Sequence, residues 1–344
     1  MSKWHLFKGS KTPHDSIKDL PRPPKWRHFS DKPPETERQL TSDLRTKRYL
    51  DSLARGQTYE AGQDEVEMVN AALYLRRPLL VTGKPGTGKS SLAYAVAHEL
   101  NLGGVLYWPI TTHSTLQDGL YRYDAIGRLQ ELQIARLEKP SGIFSAKKKT
   151  VIDIGQFIKL GPLGTALLPS KKPRVLLIDE IDKSDIDLPN NLLNIFEEGQ
   201  FEILELSRIA KKFPQVEALS FDGDDRVTID KGRVVCYEFP FIVLTSNAER
   251  ELPGPFLRRC LRLDIAPPDE EKLARIVKAH FEDNIETKEK LITTFLNLRQ
   301  EGDLATDQLL NAIYLAANGV ELDPDGKKGL IKAVLRYLNT MGTV

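Results

Sequence analysis

The stretch Gly83-Lys84-Pro85-Gly86-Thr87-Gly88-Lys89-Ser90 decides the fold that this sequence predicts. It follows the apolar run Leu79-Leu80-Val81, and Ser91–Leu100 after it has the composition of a helix. A strand, a glycine loop and a helix in this order are typical of a phosphate-binding loop. Gly86 and Gly88 can adopt backbone angles that other residues avoid, so that successive N–H groups turn inward around an anion. The positive end of the helix dipole strengthens that attraction.

This loop predicts that the chain binds a nucleoside triphosphate. We expect Lys89 to bridge the β- and γ-phosphates and Ser90 to give its hydroxyl to Mg²⁺. The alternative is a glycine turn between two ordinary elements, which the strand before the loop and the helix after it disfavour. We therefore predict ATP and Mg²⁺ as cofactors. The predicted nucleotide-binding residues of the loop and first helical turn are Gly83, Lys84, Pro85, Gly86, Thr87, Gly88, Lys89, Ser90 and Ser91.

Two further apolar runs end in polar residues. Val175–Ile178 is followed directly by Asp179-Glu180. A buried strand that ends in two carboxylates is common, but together with a phosphate-binding loop it indicates the catalytic end of a nucleotide site. Asp179 is then expected to join Ser90 in the Mg²⁺ shell, and Glu180 to polarise the attacking water. Phe241–Thr245 ends at Ser246-Asn247. Asn247 is either a turn residue or an amide that contacts the γ-phosphate, because ligands gather at the carboxyl ends of parallel strands.

Composition narrows the class of protein. A chain of 344 residues can form two domains, and its 49 basic residues nearly balance its 48 acidic ones. No global charge therefore indicates nucleic acid or an anionic membrane as partner. The two cysteines, Cys236 and Cys260, could pair, but so few thiols are typical of a reducing compartment. No apolar run reaches the roughly 18–20 residues of a membrane span, and Met1–Ser10 lacks a signal-peptide core. We predict a cytoplasmic protein.

The first 58 residues differ from the rest of the chain. They carry thirteen basic and seven acidic residues and clustered prolines, with a loose helical pattern over Glu35–Arg55. One interpretation is an arm that docks on a neighbouring subunit or partner, and the other is a flexible tail. Composition does not choose between them. The aromatic residues available for docking are Trp4, Phe7, Trp26 and Phe29.

The remainder divides into an α/β core, residues 59–266, and a helical domain, residues 267–344. Alternating strands and helices in the core predict a parallel sheet covered by helices on both faces. Past Pro267-Pro268 the apolar residues follow helical spacing only. The helices predicted there are Asp269–Phe281, Thr287–Arg299, Thr306–Asn318 and Lys327–Leu338.

Together these motifs resemble an AAA+ ATPase. The glycine loop and Leu177–Asp182 look like its Walker A and Walker B motifs, and Leu244–Asn247 looks like its sensor strand. The segment Asn190–Gln200 and the stretch Leu252–Arg259 are similar to the MoxR-type branch. The resemblance runs from about Tyr59 to the C-terminus. It implies an AAA+ module, in which a P-loop αβα sandwich is followed by a small all-α lid.

The resemblance also implies roles for particular residues. Lys89, Ser90, Asp179 and Glu180 match the phosphate, magnesium and catalytic positions, and Asn247 matches the sensor of the γ-phosphate. Arg259, or secondarily Arg258, matches an arginine finger inserted into a neighbour's site. The alternative for these two arginines is a solvated pair beside Cys260.

Two regions leave questions open at this level. Family members often carry a basic sensor at the start of the third lid helix, where this chain has Ala305-Thr306-Asp307-Gln308, so sensing by the chain's own lid is in doubt. Thr111–Arg136 lies where the branch carries an insertion. Trp108, Tyr121 and Tyr123 either contact a partner there or pack internally.

The function implied is that of an ATP hydrolase that remodels or assembles a partner complex in a chaperone-like way. The MoxR resemblance implies a ring, expected to be a hexamer, and a protein client that in this branch often carries a von Willebrand A-type domain. An alternative is a nucleotide-gated scaffold that oligomerises on ATP with little turnover. A third is a nucleic-acid motor, for which the sequence offers neither a basic stripe nor a recognition motif.

Overall fold

The structure is a computed structural model that describes residues 4–34, 54–137, 153–223, 226–281, 285–301 and 304–318. Within these ranges an α/β core precedes a helical domain. The helices of the core are α1 (Gln63–Leu75), α2 (Lys89–Glu99), α3 (Leu116–Leu120), α4 (Ala125–Leu137), α5 (Pro162–Ala166), α6 (Asp187–Glu198), α7 (Leu204–Ser207) and α8 (Gly254–Arg259). Its strands are β1 (Leu79–Thr82), β2 (Leu106–Pro109), β3 (Tyr121–Tyr123), β4 (Ile158–Leu160), β5 (Val175–Asp179), β6 (Gln200–Glu202), β7 (Gln215–Leu219), β8 (Arg226–Asp230), β9 (Arg233–Val235), β10 (Phe241–Ser246) and β11 (Leu261–Asp264).

The central sheet is entirely parallel, in the order β11-β1-β10-β5-β2. Every residue of β10 is buried, and so are the first four residues of β5. Such continuous apolar strands are typical of a sheet with both faces covered. One apolar core, including Leu79 and Val81, packs on α1 and α2, and a second core, including Leu80 and Ile178, lies on the other face. The predicted α/β fold is confirmed.

The strand order determines which loops meet. β10 lies between β1 and β5, with Leu80 opposite Leu244 and Leu244 opposite Ile178. The carboxyl ends of these three strands therefore stand side by side. The glycine loop follows β1, Glu180 follows β5 and Asn247 follows β10.

A second sheet, in the order β3-β4-β7-β8-β9-β6, joins segments that the sequence left only partly assigned. Its β8–β9 hairpin turns at Lys231-Gly232, both of which have a positive φ. Trp108 and Tyr121 are buried, and Tyr123 is half-buried with its hydroxyl accepting from Arg128. Internal packing therefore accounts for Trp108 and Tyr121.

Residues 4–34 pack on the core of their own chain. Leu6, Phe7 and Ile17 are buried in the apolar core shared with α1 and α2. The Asn70 side chain accepts from the N–H groups of Leu6 and Phe7 and donates to the carbonyl of Phe7. For these residues the interpretation as a flexible tail is wrong, whereas docking of the segment on a neighbouring subunit or partner stays a prediction.

Parts of this region agree less directly with the sequence interpretation. Trp26 remains exposed, whereas Phe29 stacks on Phe239 of the core. The helix predicted over Glu35–Arg55 lies almost wholly outside the described residues. Cys236 and Cys260 are both buried and unlinked, and burial raises the pKa of each thiol to about 12.

The helical domain contains α9 (Glu270–His280), α10 (Ile285–Glu301) and α11 (Thr306–Ala317). These helices share an apolar core of their own that includes Leu273, Phe295 and Leu309. Their bounds agree with the predicted ones within two residues, and the predicted helix Lys327–Leu338 lies outside the described residues. Among the described helices, none has both the length and the apolar composition to cross a bilayer.

Candidate nucleotide-binding site

The glycine loop between β1 and α2 encloses the side chain of Lys89. This lysine is buried, and its Nζ donates to the carbonyls of Gly83 (2.7 Å) and Lys84 (2.9 Å). Burial lowers the pKa of Lys89, and nearby carboxylates, Asp179 first, act in the opposite direction. A cation held inside a loop by neutral carbonyls is suited to an anionic ligand. The loop thus has the features of the predicted phosphate cradle.

The Asp179 carboxylate at the end of β5 collects three hydroxyl groups. Ser90 and Thr245 donate to Oδ1 at 2.7 and 2.6 Å, and Tyr107 donates to Oδ2 at 3.3 Å. Burial, and then the charge of Asp179, raise the pKa of Tyr107 to about 12. Ser90 comes from α2, Thr245 from β10 and Tyr107 from β2. Four elements therefore meet at one carboxylate.

These groups fit Mg²⁺ as it is usually bound beside a triphosphate. A hydroxyl and a carboxylate oxygen at hydrogen-bond distance are hard oxygen donors of the kind Mg²⁺ prefers. Within the described residues no cluster of three His, Cys, Asp or Glu side chains could hold a metal ion by itself. A Mg²⁺ site at Ser90 and Asp179 would thus need phosphate oxygens and water to complete it.

Glu180 has a left-handed backbone conformation, with φ 62° and ψ 49°. Such a conformation costs a non-glycine residue roughly 1–3 kcal/mol and occurs where the surroundings impose it. Its N–H donates to Thr245 Oγ1 (2.9 Å), and its Oε2 accepts from Lys183 Nζ (2.9 Å). Thr245 therefore holds both carboxylate residues at the end of β5.

The loop that carries Asn247 is fastened by a buried carboxylate. Asp182 Oδ2 accepts from the N–H groups of Asn247 (3.0 Å) and Glu249 (3.1 Å). Its Oδ1 is buried without a hydrogen-bond partner among the described residues. The Asn247 amide donates to Glu249 Oε1 at 3.2 Å. Asp182 thus ties the turn after β5 to the turn after β10.

The two candidate finger residues end α8. Arg259 Nε donates to Glu197 Oε1 at 2.5 Å, and the carbonyl of Arg258 accepts from Arg77 at 3.5 Å. In the described part of the chain, neither arginine side chain has a hydrogen bond or ion pair with the glycine loop of its own subunit.

The helical domain touches the cradle through uncharged residues. A Cβ at Gly86, whose φ is +73°, would overlap the Cβ of Ala305, the residue before α11. A cavity of about 220 Å³ lies beside this contact, between Lys84 and Thr87 of the loop and Arg299 and Thr306 of the helical domain. Arg299 donates to the carbonyl of Pro268, and burial lowers its pKa.

The site therefore combines a glycine loop, an adjacent aspartate and glutamate, and an asparagine, each at the carboxyl end of one of three neighbouring strands. Residues 78–259 match the family model of the AAA domain (dynein-related subfamily), over more than half of the chain. The chain belongs to this AAA family. Its AAA domain, as matched, runs from the residue before β1 to the last residue of α8 and contains both carboxylates, Asn247 and both arginines. A comparison with curated proteins found no match.

The family supports nucleotide binding and ATPase activity as the general class of this AAA domain. Several residues of the site were not predicted from sequence. Thr245 had a local signal, since a hydroxyl follows a buried run directly. Asp182 lies in the stretch that resembles a Walker B motif, but its contact with the Asn247 turn, like that of Tyr107 with Asp179, depends on the strand order. Lys183 had no signal that separates it from an ordinary surface lysine.

Proposed function

We propose that this chain is a Mg²⁺-dependent ATP hydrolase of the MoxR-like branch that works as a ring, expected to be a hexamer. The observation that carries the proposal is the Asp179 carboxylate, on which the hydroxyls of Ser90 and Thr245 converge at 2.7 and 2.6 Å. This convergence joins the phosphate cradle to the catalytic strand end.

Each residue of the site has its own role in the proposed ATP hydrolysis. Lys89 and the loop N–H groups bind the phosphates, while Ser90 and Asp179 would hold Mg²⁺, which when bound neutralises phosphate charge. Glu180 accepts a proton from the attacking water, and Asn247 orients that water and the γ-phosphate. The buried contacts of Asp182 and Thr245 fix these groups before the substrate arrives, so less reorganisation is needed.

Completion of the site requires a second subunit. Lys89 is enclosed by the glycine loop and Arg299 of the helical domain lines the cavity beside that loop, whereas Arg259 is paired with Glu197. The start of α11 supplies no cation at the contact with Gly86. We infer that Arg259 of the neighbouring subunit acts on the γ-phosphate, with Arg258 as the secondary candidate. A ring motor of this kind would remodel a protein client, and the MoxR resemblance favours one with a von Willebrand A-type domain.

A nucleotide-gated scaffold is the second candidate. The observation that favours it is the ion pair between Lys183 and Glu180, because it directs the Glu180 carboxylate to a lysine ammonium group instead of to an attacking water. Such a scaffold would oligomerise on ATP and turn it over no faster than a variant that lacks the base.

The proposal is tested with ATP binding and turnover of three purified variants at several protein concentrations. Lys89→Ala should lose binding, and Glu180→Gln should bind ATP but hydrolyse it roughly 100-fold more slowly. Arg259→Ala should bind ATP yet turn over poorly, since a finger in trans is worth about 10³–10⁵ in rate. Wild-type turnover per subunit should rise with concentration until rings form.

Mixing the variants locates the finger. Lys89→Ala keeps its finger and Arg259→Ala keeps its cradle, so the mixture should recover turnover at mixed interfaces. Concentration-independent turnover without recovery on mixing would mean a self-sufficient monomeric ATPase. Wild-type turnover as slow as that of Glu180→Gln, with ATP-dependent assembly, would favour the scaffold. A pull-down with Glu180→Gln and ATP should then identify the client.

A further inference from the structure

Helix α8, which ends in Arg259, rests on the C-terminal end of α6 through two contacts. The Phe256 ring of α8 lies 6.3 Å from the Phe196 ring of α6, and both side chains are fully buried. One turn further, Arg259 Nε donates to Glu197 Oε1 at 2.5 Å. The buried contact fixes the helix, and the polar contact fixes the direction of one side chain.

The ion pair with Glu197 engages only the Nε atom of the Arg259 guanidinium. In the described part of the chain neither terminal nitrogen of Arg259 has a hydrogen bond. The two terminal nitrogens form the fork that matches a pair of phosphate oxygens. The side chains are 41% and 45% exposed, and an ion pair at that exposure adds little to stability. Its effect is to restrict the rotamers of a long side chain.

The end of α6 is itself anchored by the N-terminal segment. Arg27 Nη1 donates to the carbonyl of Phe196 (2.7 Å), and its Nε and Nη2 donate to the carbonyl of Arg76. The guanidinium lies between the rings of Phe29 and Phe239, at 4.9 and 4.6 Å from their centroids.

A glycine allows this approach. The Phe29 ring covers Gly199, the left-handed C-cap of α6 with φ +60°, so closely that a Cβ there would overlap it. The anchor therefore lies next to the residue pair Phe196 and Glu197.

We propose that Glu197 is a positioning residue that aims the Arg259 guanidinium at the triphosphate of the neighbouring subunit, on a helix end that Arg27 holds in place. This inference rests on the proposed function. Glu197 contacts neither nucleotide nor the reacting atoms, and it acts on the neighbour's site through Arg259.

The test measures ATP affinity, kcat and KM of the full chain with Glu197→Ala, and with Glu198→Ala as the matched control. Glu198 is the adjacent exposed carboxylate, and its Oε2 accepts from Gln200. Glu197→Ala should lower kcat roughly 10- to 100-fold with little change in ATP affinity, because a small misplacement of a catalytic group has that effect. Glu198→Ala should match the wild type. Glu197→Gln, which keeps an acceptor oxygen, should fall between them.

Mixing and double substitution separate positioning from a structural effect. Glu197→Ala keeps its own cradle, so Lys89→Ala subunits should restore its turnover by donating their aligned fingers. Arg259→Ala subunits should not restore it. The double variant Glu197→Ala/Arg259→Ala should be no slower than Arg259→Ala alone. Glu197 acts only through Arg259, so its loss has no further effect once that arginine is absent.

The outcomes distinguish this inference from the proposal beneath it. Wild-type kcat for Glu197→Ala, in rings that Arg259→Ala inactivates, rejects the positioning role alone. A slow Glu197→Ala that Lys89→Ala subunits do not rescue also rejects it, because the defect then lies in its own cradle or fold. Wild-type turnover of Arg259→Ala rejects Arg259 as the finger, and with it the role of Glu197. Wild-type turnover of Arg258→Ala as well would reject the ring mechanism.

Discussion

Thr245 is the residue on which the catalytic strand ends depend most at the scale of single side chains. Its hydroxyl donates to Asp179 Oδ1 and accepts from the N–H of Glu180, a residue in left-handed backbone. One oxygen thus contacts both Asp179, the proposed metal ligand, and Glu180, the proposed base.

We predict that Thr245→Val retains the fold but lowers ATP turnover. Valine keeps the shape of the side chain and leaves the Glu180 N–H without its acceptor, which costs roughly 1–3 kcal/mol. An assay of phosphate release at saturating ATP should show a fall of about 5- to 30-fold, if one to two kcal/mol of that loss reaches the transition state. Thr245→Ser keeps the hydroxyl and should stay near wild type. Equal activity of the valine variant would show that the bridge is dispensable.

At the scale of elements, the N-terminal segment and α6 form one unit through Arg27. Two carbonyls, of Phe196 and Arg76, share its guanidinium, which is also flanked by two rings. Burial lowers the pKa of Arg27 to about 10, while Glu197 acts in the opposite direction, so it remains charged at neutral pH.

We predict that Arg27→Ala lowers the free energy of unfolding by roughly 2–4 kcal/mol, the sum of charged hydrogen bonds and a cation–π contact. Urea denaturation followed by circular dichroism measures this change. Arg22→Ala is the matched control, because Arg22 lies exposed in the same segment. A shift for Arg27→Ala no larger than that of the control would contradict the anchoring role.

The elements also differ in how well the sequence alone predicts them. The glycine loop, Asp179 and Glu180 were predictable because each motif is local and borders a strand. The attachment of residues 4–34 was not, because Leu6, Phe7 and Ile17 are isolated in a polar stretch with no period. The side chains that hold this segment lie more than sixty positions away: Asn70 accepts from Leu6 and Phe7, and Glu99 accepts from the N–H groups of Lys8 and Ser10. For the same reason, Thr245 and Asp182 acquire roles only once β10 is placed between β1 and β5.

For the molecule as a whole, the decisive contact is where the helical domain meets the cradle. Gly86 has a positive φ and lies against Ala305. Any side chain at position 86 must displace the start of α11 or the loop itself.

We predict that Gly86→Ala weakens ATP binding by about 5- to 30-fold, because an alanine in that backbone conformation costs roughly 1–2 kcal/mol before the overlap is counted. Isothermal titration with a non-hydrolysable ATP analogue measures the affinity. Gly104→Ala is the control, since a Cβ at Gly104 meets no atom within 4 Å. Equal ATP affinities of Gly86→Ala and Gly104→Ala would show that the helical domain accommodates the added Cβ with no loss of binding free energy.

The uneven burial of the three tryptophans gives the molecule a built-in optical probe. Trp4 and Trp26 lie in the N-terminal segment with 37% and 77% of their surface exposed, whereas Trp108 is 5% exposed on β2. Trp108 stands opposite Ile178, the residue before Asp179. Replacing the first two by phenylalanine leaves a single emitter beside the catalytic strand. Its fluorescence would report ligand binding at the core. In a chain that keeps Trp4 as its single tryptophan, stronger iodide quenching would follow detachment of the segment.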